Sequence, residues 1–130
     1  MPSYLINAND VEYSPGGPPE EGWIDMKVQF LINQERAGAE HIVFGRTVFG
    51  PGARHEWHRH ANAEEFQFLL EGEGVALHDG EEVPVKKSDL WFTPANEWHG
   101  FSNTSDKDVV MVWGWAGAGS REAAGYEARP

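Results

Sequence analysis

The chain contains no cysteine. Disulfides, thiol nucleophiles and thiolate metal sites are therefore excluded. Positive charge is also scarce: ten Lys and Arg stand against 21 Asp and Glu, a formal net charge of −11. Such a surface repels phosphate backbones and anionic headgroups, so neither nucleic acid nor a membrane surface is an expected partner. No apolar run approaches the roughly 18–20 residues of a membrane span. The N-terminus lacks the basic-then-apolar pattern of a secretory signal, and the expectation is a cytoplasmic protein.

What the sequence does have is turn chemistry between short apolar segments. Its 130 residues suit one domain, 1–130, large enough to bury roughly two-thirds of its unfolded surface. Fifteen Gly and eight Pro point to many turns and short strands. Residues 1–22 read as a first short strand at Tyr4–Asn7, then an irregular loop, "SPGGPPEEG". Strands are expected at Trp23–Ile32 and at His41–Phe49, the latter closed by "GPG" (Gly50–Gly52). The polar connection Asn33–Glu40 has room for one helical turn. Further strands follow at Glu56–His60, Glu65–Leu70, Val75–His78, Glu82–Val85, Leu90–Thr93, His99–Ser102 and Val109–Trp115. Asp79-Gly80 suits a two-residue hairpin turn, whose central residues both need positive φ. Residues 120–130 read as a short helix or a loose tail. Many short strands at this spacing predict an all-β sandwich or barrel.

The chemistry concentrates in "HEWHRHANAEEF" (His55–Phe66), which holds three of the six histidines. Residues i and i+2 of a strand share a face, so His58 and His60 project side by side. Glu65 on the next strand can turn back toward them, and His99 opens a later strand. Three imidazoles and one carboxylate suit Fe, Mn, Ni, Zn or Cu, and not Ca or Mg, which prefer oxygen ligands. No Ser-His-Asp order, phosphate loop or dinucleotide fingerprint competes with this set.

"GARHEWHRHANAEEFQFLLEG" (Gly52–Gly72) resembles the first motif of the cupin superfamily, matching at Gly52, His58, His60, Glu65 and Gly72. "SDLWFTPANEWHGFSN" (Ser88–Asn103) resembles the second, with Pro94, His99 and Asn103 in place. Ser88 and Asn96 stand where the family usually has Gly. The two motifs span 52–103. The resemblance implies a double-stranded β-helix (jelly-roll) barrel with His58, His60, Glu65 and His99 as ligands of one divalent transition metal, Fe or Mn ahead of Ni and Zn. The motif spacing selects Glu65 over its neighbour Glu64. The resemblance further implies a metal-dependent enzyme on a small oxygenated molecule, with a dioxygenase ahead of an isomerase, epimerase or lyase; the alternative is a non-catalytic binding barrel. It also implies a homodimer pairing through Trp23–Ile32.

Other residues carry weaker expectations. Gln67 shares the parity of Glu65 and is a candidate substrate contact, or else a partner that orients a metal ligand. Phe101 shares the parity of His99 and is expected on the cavity wall. His55 has the opposite parity to His58, so it reads as an exposed or rim residue, with a base that supports a metal ligand or faces the substrate as the alternative. His78 abuts a turn and should be solvated. Val109, Met111, Trp113 and Trp115 share one face and read mainly as core. The "NTS" sequon at Asn103–Ser105 is discounted, because Asn103 already belongs to a motif.

Overall fold

The computed structural model describes residues 4–130. Among them the strands are β1 (Trp23–Ile32), β2 (Ile42–His60), β3 (Glu64–Glu71), β4 (Glu73–His78), β5 (Glu81–Lys86), β6 (Leu90–Thr93), β7 (His99–Ser102), β8 (Val109–Ala116) and β9 (Tyr126–Ala128). Two one-turn helices, α1 (Gln34–Ala37) and α2 (Arg121–Ala124), interrupt them. The hydrogen-bonded order is β5-β4-β7-β2-β8-β3-β6, with β1 and β9 both paired to β2. The fold is an all-β, double-stranded β-helix barrel. No helix among the described residues is long and apolar enough to cross a membrane.

Strand β2 organises the barrel. It pairs with β8 from Ile42 to Phe49, with β7 from Arg54 to His58, and with β9 from His58 to His60. The "GPG" stretch was expected to end the strand. Instead it is a corner at which β2 exchanges partners, and the chain continues extended through it. Gly52 sits at φ 83°, a conformation that glycine adopts without the steric cost of a Cβ. Asn103 closes the corner from the other side. Its backbone exchanges hydrogen bonds with Gly52 and Ala53, and its side-chain amide donates to the carbonyls of Phe49 (2.8 Å), Gly50 (3.1 Å) and Lys107 (2.7 Å). A buried carbonyl left without a donor costs about 1–3 kcal/mol, so this one side chain stabilises the bend. With its side chain enclosed in this way, Asn103 is no glycosylation acceptor.

The core is the inward face of this barrel. Val109, Met111, Trp113 and Trp115 are all buried, as their shared parity predicts. Trp113 packs so tightly on Gly45 that a Cβ there would collide with the indole ring. Each fully buried large apolar side chain contributes about 1.5–3 kcal/mol by removal from water. On β1, Trp23, Met26 and Val28 are also buried within the chain, while Ile32 at its end is exposed. The large apolar residues left exposed include Phe66, Leu70, Leu90 and Phe92, all on β3 and β6.

Both termini depart from expectation. Tyr4–Asn7 is not a strand; Asn7 instead caps a 3-10 turn at Ala8–Asp10 through its side chain. Ser14, in the loop expected to be irregular, exchanges two backbone hydrogen bonds with Val28 and covers the outer edge of β1. The C-terminal segment is neither wholly helical nor loose. After α2 it forms β9 on the outer side of His58–His60, fastened by the Arg59–Glu127 ion pair (3.0 Å) and by Arg129 over the Trp57 ring.

The turns keep their expected geometry. Asp79 and Gly80 have φ of 48° and 80° between β4 and β5. Asn96 and Ser88, the two departures from glycine, both adopt positive φ, 65° and 75°. Asn tolerates this region better than Ser. Ser88→Gly should therefore stabilise the protein by about 0.5–1 kcal/mol, the relief of left-handed strain less the added entropy of the unfolded chain. Urea denaturation checks this, and a loss of stability would contradict the strain assigned to Ser88.

Candidate metal centre

Three strands bring four side chains together. His58 and His60 come from β2, Glu65 from β3 and His99 from β7. One ligand atom from each lies within 4.8 Å of the others. All three imidazoles are buried, and Glu65 is 9% exposed. Glu64 faces outward and is exposed, as alternation requires.

Glu65 is the hub. Its Oε1 lies 3.0 Å from His60 Nε2 and 3.1 Å from His99 Nε2, and accepts from the Trp115 indole N–H at 2.8 Å. Its Oε2 accepts from the Gln67 amide at 2.9 Å. Burial alone would raise the Glu65 carboxyl, but His99 and His60 together outweigh it and hold it well below the usual carboxylate range. Burial lowers His99, yet Glu65 overcomes that and raises it above the ordinary value. His58 is held well below its ordinary value by burial, and the neighbouring imidazoles push the same way.

The tautomers suit metal binding. His58 Nδ1 lies 2.7 Å from the Glu56 carbonyl, and His99 Nδ1 lies 2.9 Å from the Glu97 carbonyl. A carbonyl can only accept, so each Nδ1 carries the hydrogen, and a neutral ring then has its lone pair on Nε2. His60 gives the clearest test of fit. Its Nε2 is close to Glu65 but off the direction of a hydrogen bond, and neither ring nitrogen of this buried imidazole has a hydrogen-bond partner among the described residues. An unsatisfied buried polar group is costly. A cation among the four side chains would satisfy Nε2, the ring nitrogen that faces the cluster. The residues fit a metal ion and could hold one in a set of three nitrogens and one oxygen.

Gln67 and Phe101 both line the small cavity beside this cluster. The Gln67 amide nitrogen is already engaged by Glu65 and, at 3.2 Å, by Thr93 Oγ1. Its visible role is to fix the carboxylate. Phe101 packs on Phe49 and Trp91 as part of the wall. His78 is half-buried near Glu97 at 3.7 Å, so it is less solvated than its turn position suggested. The exposed His41 lies 3.8 Å from Glu40 and outside the cluster.

Three neighbours of the cluster were missed or, for His55, ranked behind a rim position. His55 also lines the cavity, with its ring stacked on His58 at 3.7 Å between centroids. Pairing of β2 with β7 runs His55↔Phe101 and then His58↔His99, one residue more on β2 than on β7. This bulge reverses the parity that had placed His55 at the rim. Tyr126 on β9 donates to the Glu21 carbonyl at 2.7 Å. The His55 Nε2–H therefore donates to the Tyr126 oxygen at 2.8 Å. Trp115 is the third, and a signal existed for it: a buried indole N–H needs an acceptor.

The fold and cluster together define a β-barrel with a metal-capable interior. The chain belongs to the cupin family: residues 45–115 match the Cupin_2 family, described as a cupin domain. It is 31% identical over 88 residues to an oxalate-binding protein of Thermotoga maritima, covering 68% of this chain and 73% of that one. It is 37% identical over 58 residues to a gentisate 1,2-dioxygenase of a Streptomyces species, which is 44% of this chain but only 16% of that enzyme. A Klebsiella pneumoniae protein with a double-stranded β-helix domain superposes with a TM-score of 0.74 at 15% identity, covering 98% of each chain.

The opposite shifts of His99 and His58 set an order of protonation. On acidification of the metal-free protein, His99 should take up its second proton at a higher pH than His58. Imidazole 15N chemical shifts followed through the titration measure this, and the reverse order would contradict the electrostatic arrangement around Glu65.

Proposed function

We propose that this protein is a metal-dependent enzyme acting on a small oxygenated organic molecule. His58, His60, Glu65 and His99 would hold one divalent ion, Fe or Mn ahead of Ni or Zn, and the reaction is of the dioxygenase type. The observation that carries this reading is the buried cluster, with its unsatisfied His60 imidazole, lining a small, largely apolar cavity. Such an ion supplies Lewis acidity toward a chelating substrate and, as Fe(II), an electron for O2. The protein's own contribution is positional. Glu56 and Glu97 carbonyls orient two imidazoles, Gln67 and Trp115 orient the carboxylate, and Phe101, Trp91 and Trp113 exclude water. The match to a gentisate dioxygenase supports oxygen chemistry. The small cavity volume, about 30 Å³, supports a short substrate over a bulky one.

A second reading, binding without turnover, is supported by the Thermotoga relative that is named for binding oxalate. A homodimer pairing through Trp23–Ile32 belongs to the same proposal, with the exposed apolar residues of β3 and β6 as the alternative face. Light scattering at micromolar concentration tests it, and a monomeric mass rules it out.

Metal analysis comes first. Glu65→Gln should lose most of its metal, a drop in affinity larger than the roughly 10–100-fold that follows loss of a group merely orienting a ligand, while Glu64→Gln retains it. Equal retention by both would remove Glu65 from the ligand set. Metal-free protein is then reconstituted separately with Fe(II), Mn(II), Ni(II) and Zn(II) and offered diketones, catechols and hydroxy acids with and without air. Oxygen uptake only with Fe(II) is the expected result. Product formed without air would move the case to an isomerase or lyase, and binding without product under every metal would leave the binding barrel.

A further inference from the structure

We propose that the ligand of this site carries at most one negative charge together with an apolar flank, the class of short 2-oxo and 2-hydroxy monocarboxylic acids and small neutral diketones, and that dicarboxylate dianions are rejected. The inference rests on the metal-dependent reading above. It comes from what lines the cavity.

Among the described residues no Lys or Arg lines it. Its one carboxylate is Glu65, and the wall opposite includes Trp23, Met26, Phe49, Trp91, Phe101 and Met111. Two neutral polar groups of the lining are already engaged, while the Trp23 indole N–H, a neutral donor, has no hydrogen-bond partner among the described residues. Thr47 accepts from the Trp113 indole at 2.9 Å, and Gln67 is held by Glu65 and Thr93. The arginines near this end of the barrel are directed elsewhere: Arg59 pairs with Glu127, and Arg121 lies 6.0 Å from the centroid of the Trp23 ring, reaching the Gly16 carbonyl.

A divalent ion with Glu65 leaves a site charge of +1. A monoanion neutralises it. A dianion leaves one uncompensated negative charge against a largely apolar wall that offers it no cation, where an unpaired charge is unfavourable. The surface charge of −11 acts in the same direction at long range. The apolar wall favours a ligand whose non-chelating end is a methyl or methylene group, and the small volume keeps that end short.

Pyruvate and oxalate separate charge from size. They have the same number of non-hydrogen atoms and chelate through adjacent oxygens, but a methyl group in pyruvate replaces an ionised oxygen of oxalate. The full chain loaded with Co(II) is titrated with each, following the cobalt absorption bands and measuring bound metal before and after. Pyruvate should bind at least about ten-fold more tightly, although oxalate is the stronger chelator of free cobalt. Oxalate that binds as tightly as pyruvate, with metal retained, overturns the charge limit and leaves the metal site standing. No spectral response to either ligand overturns the limit and the small-oxygenated-substrate reading together, and a chain that takes up no cobalt overturns the metal reading itself. Trp91→Lys adds a cation to the wall from a half-buried position. It should narrow the preference about ten-fold, and an unchanged ratio in the folded variant also counts against the proposal.

Discussion

The interior of this barrel is arranged around one buried carboxylate. Glu65 is ionised in a place where burial opposes ionisation, and it stays so because imidazole, indole and amide groups converge on its two oxygens. Removing any one of them leaves part of a buried charge uncompensated, which is far more costly than losing an exposed contact. Much of the local sequence therefore serves this group. Gln67 shares its strand, Trp115 lies opposite it on β8, and His60 and His99 face Oε1 from β2 and β7.

That convergence depends on β2 serving several neighbours in turn. A strand that kept one partner throughout would set His58 and His60 on a flat sheet far from His99. The corner at Gly50–Gly52, sealed by Asn103, bends β2 from β8 toward β7. The bulge between His55 and His58 then stacks one more imidazole on the cluster. β9 closes the outside of the same stretch, and its Tyr126 ring packs on both His58 and His60. The irregularities of β2 are the features that turn an ordinary strand into one wall of a site.

How far the sequence revealed this follows from the range of the interactions. Strand identity was legible because it rests on local alternation and turn residues: β1, β6 and β7 have the expected limits, and the Asp79-Gly80 turn has the expected φ values. The four clustered residues were legible because the i, i+2 pair and the motif spacing are local too. The position of His55 was not, because an added residue in one strand is defined only against its partner. Tyr126 was hidden for a similar reason. A three-residue strand has little pattern of its own, and β9 exists because β2 offers it an edge. The role of Gln67 was narrowed by structure alone: parity placed it inside, but only the 2.9 Å contact with Glu65 shows what its amide nitrogen does there.

The same local rules explain why the site is stiff. All four candidate ligands stand on strands, and two of the imidazoles are locked by their own backbone neighbours two residues away, Glu56 for His58 and Glu97 for His99. These contacts fix ring orientation and tautomer before any ion arrives, so little ordering entropy remains to be lost on binding. His60 lacks such an anchor. It is held by packing against Trp115, at 4.7 Å between ring centroids, and by the Tyr126 ring on its other neighbour strand. Among the three imidazoles, His60 is thus the one whose orientation rests on tertiary contacts alone, and its position is the most dependent on the C-terminal strand staying in place.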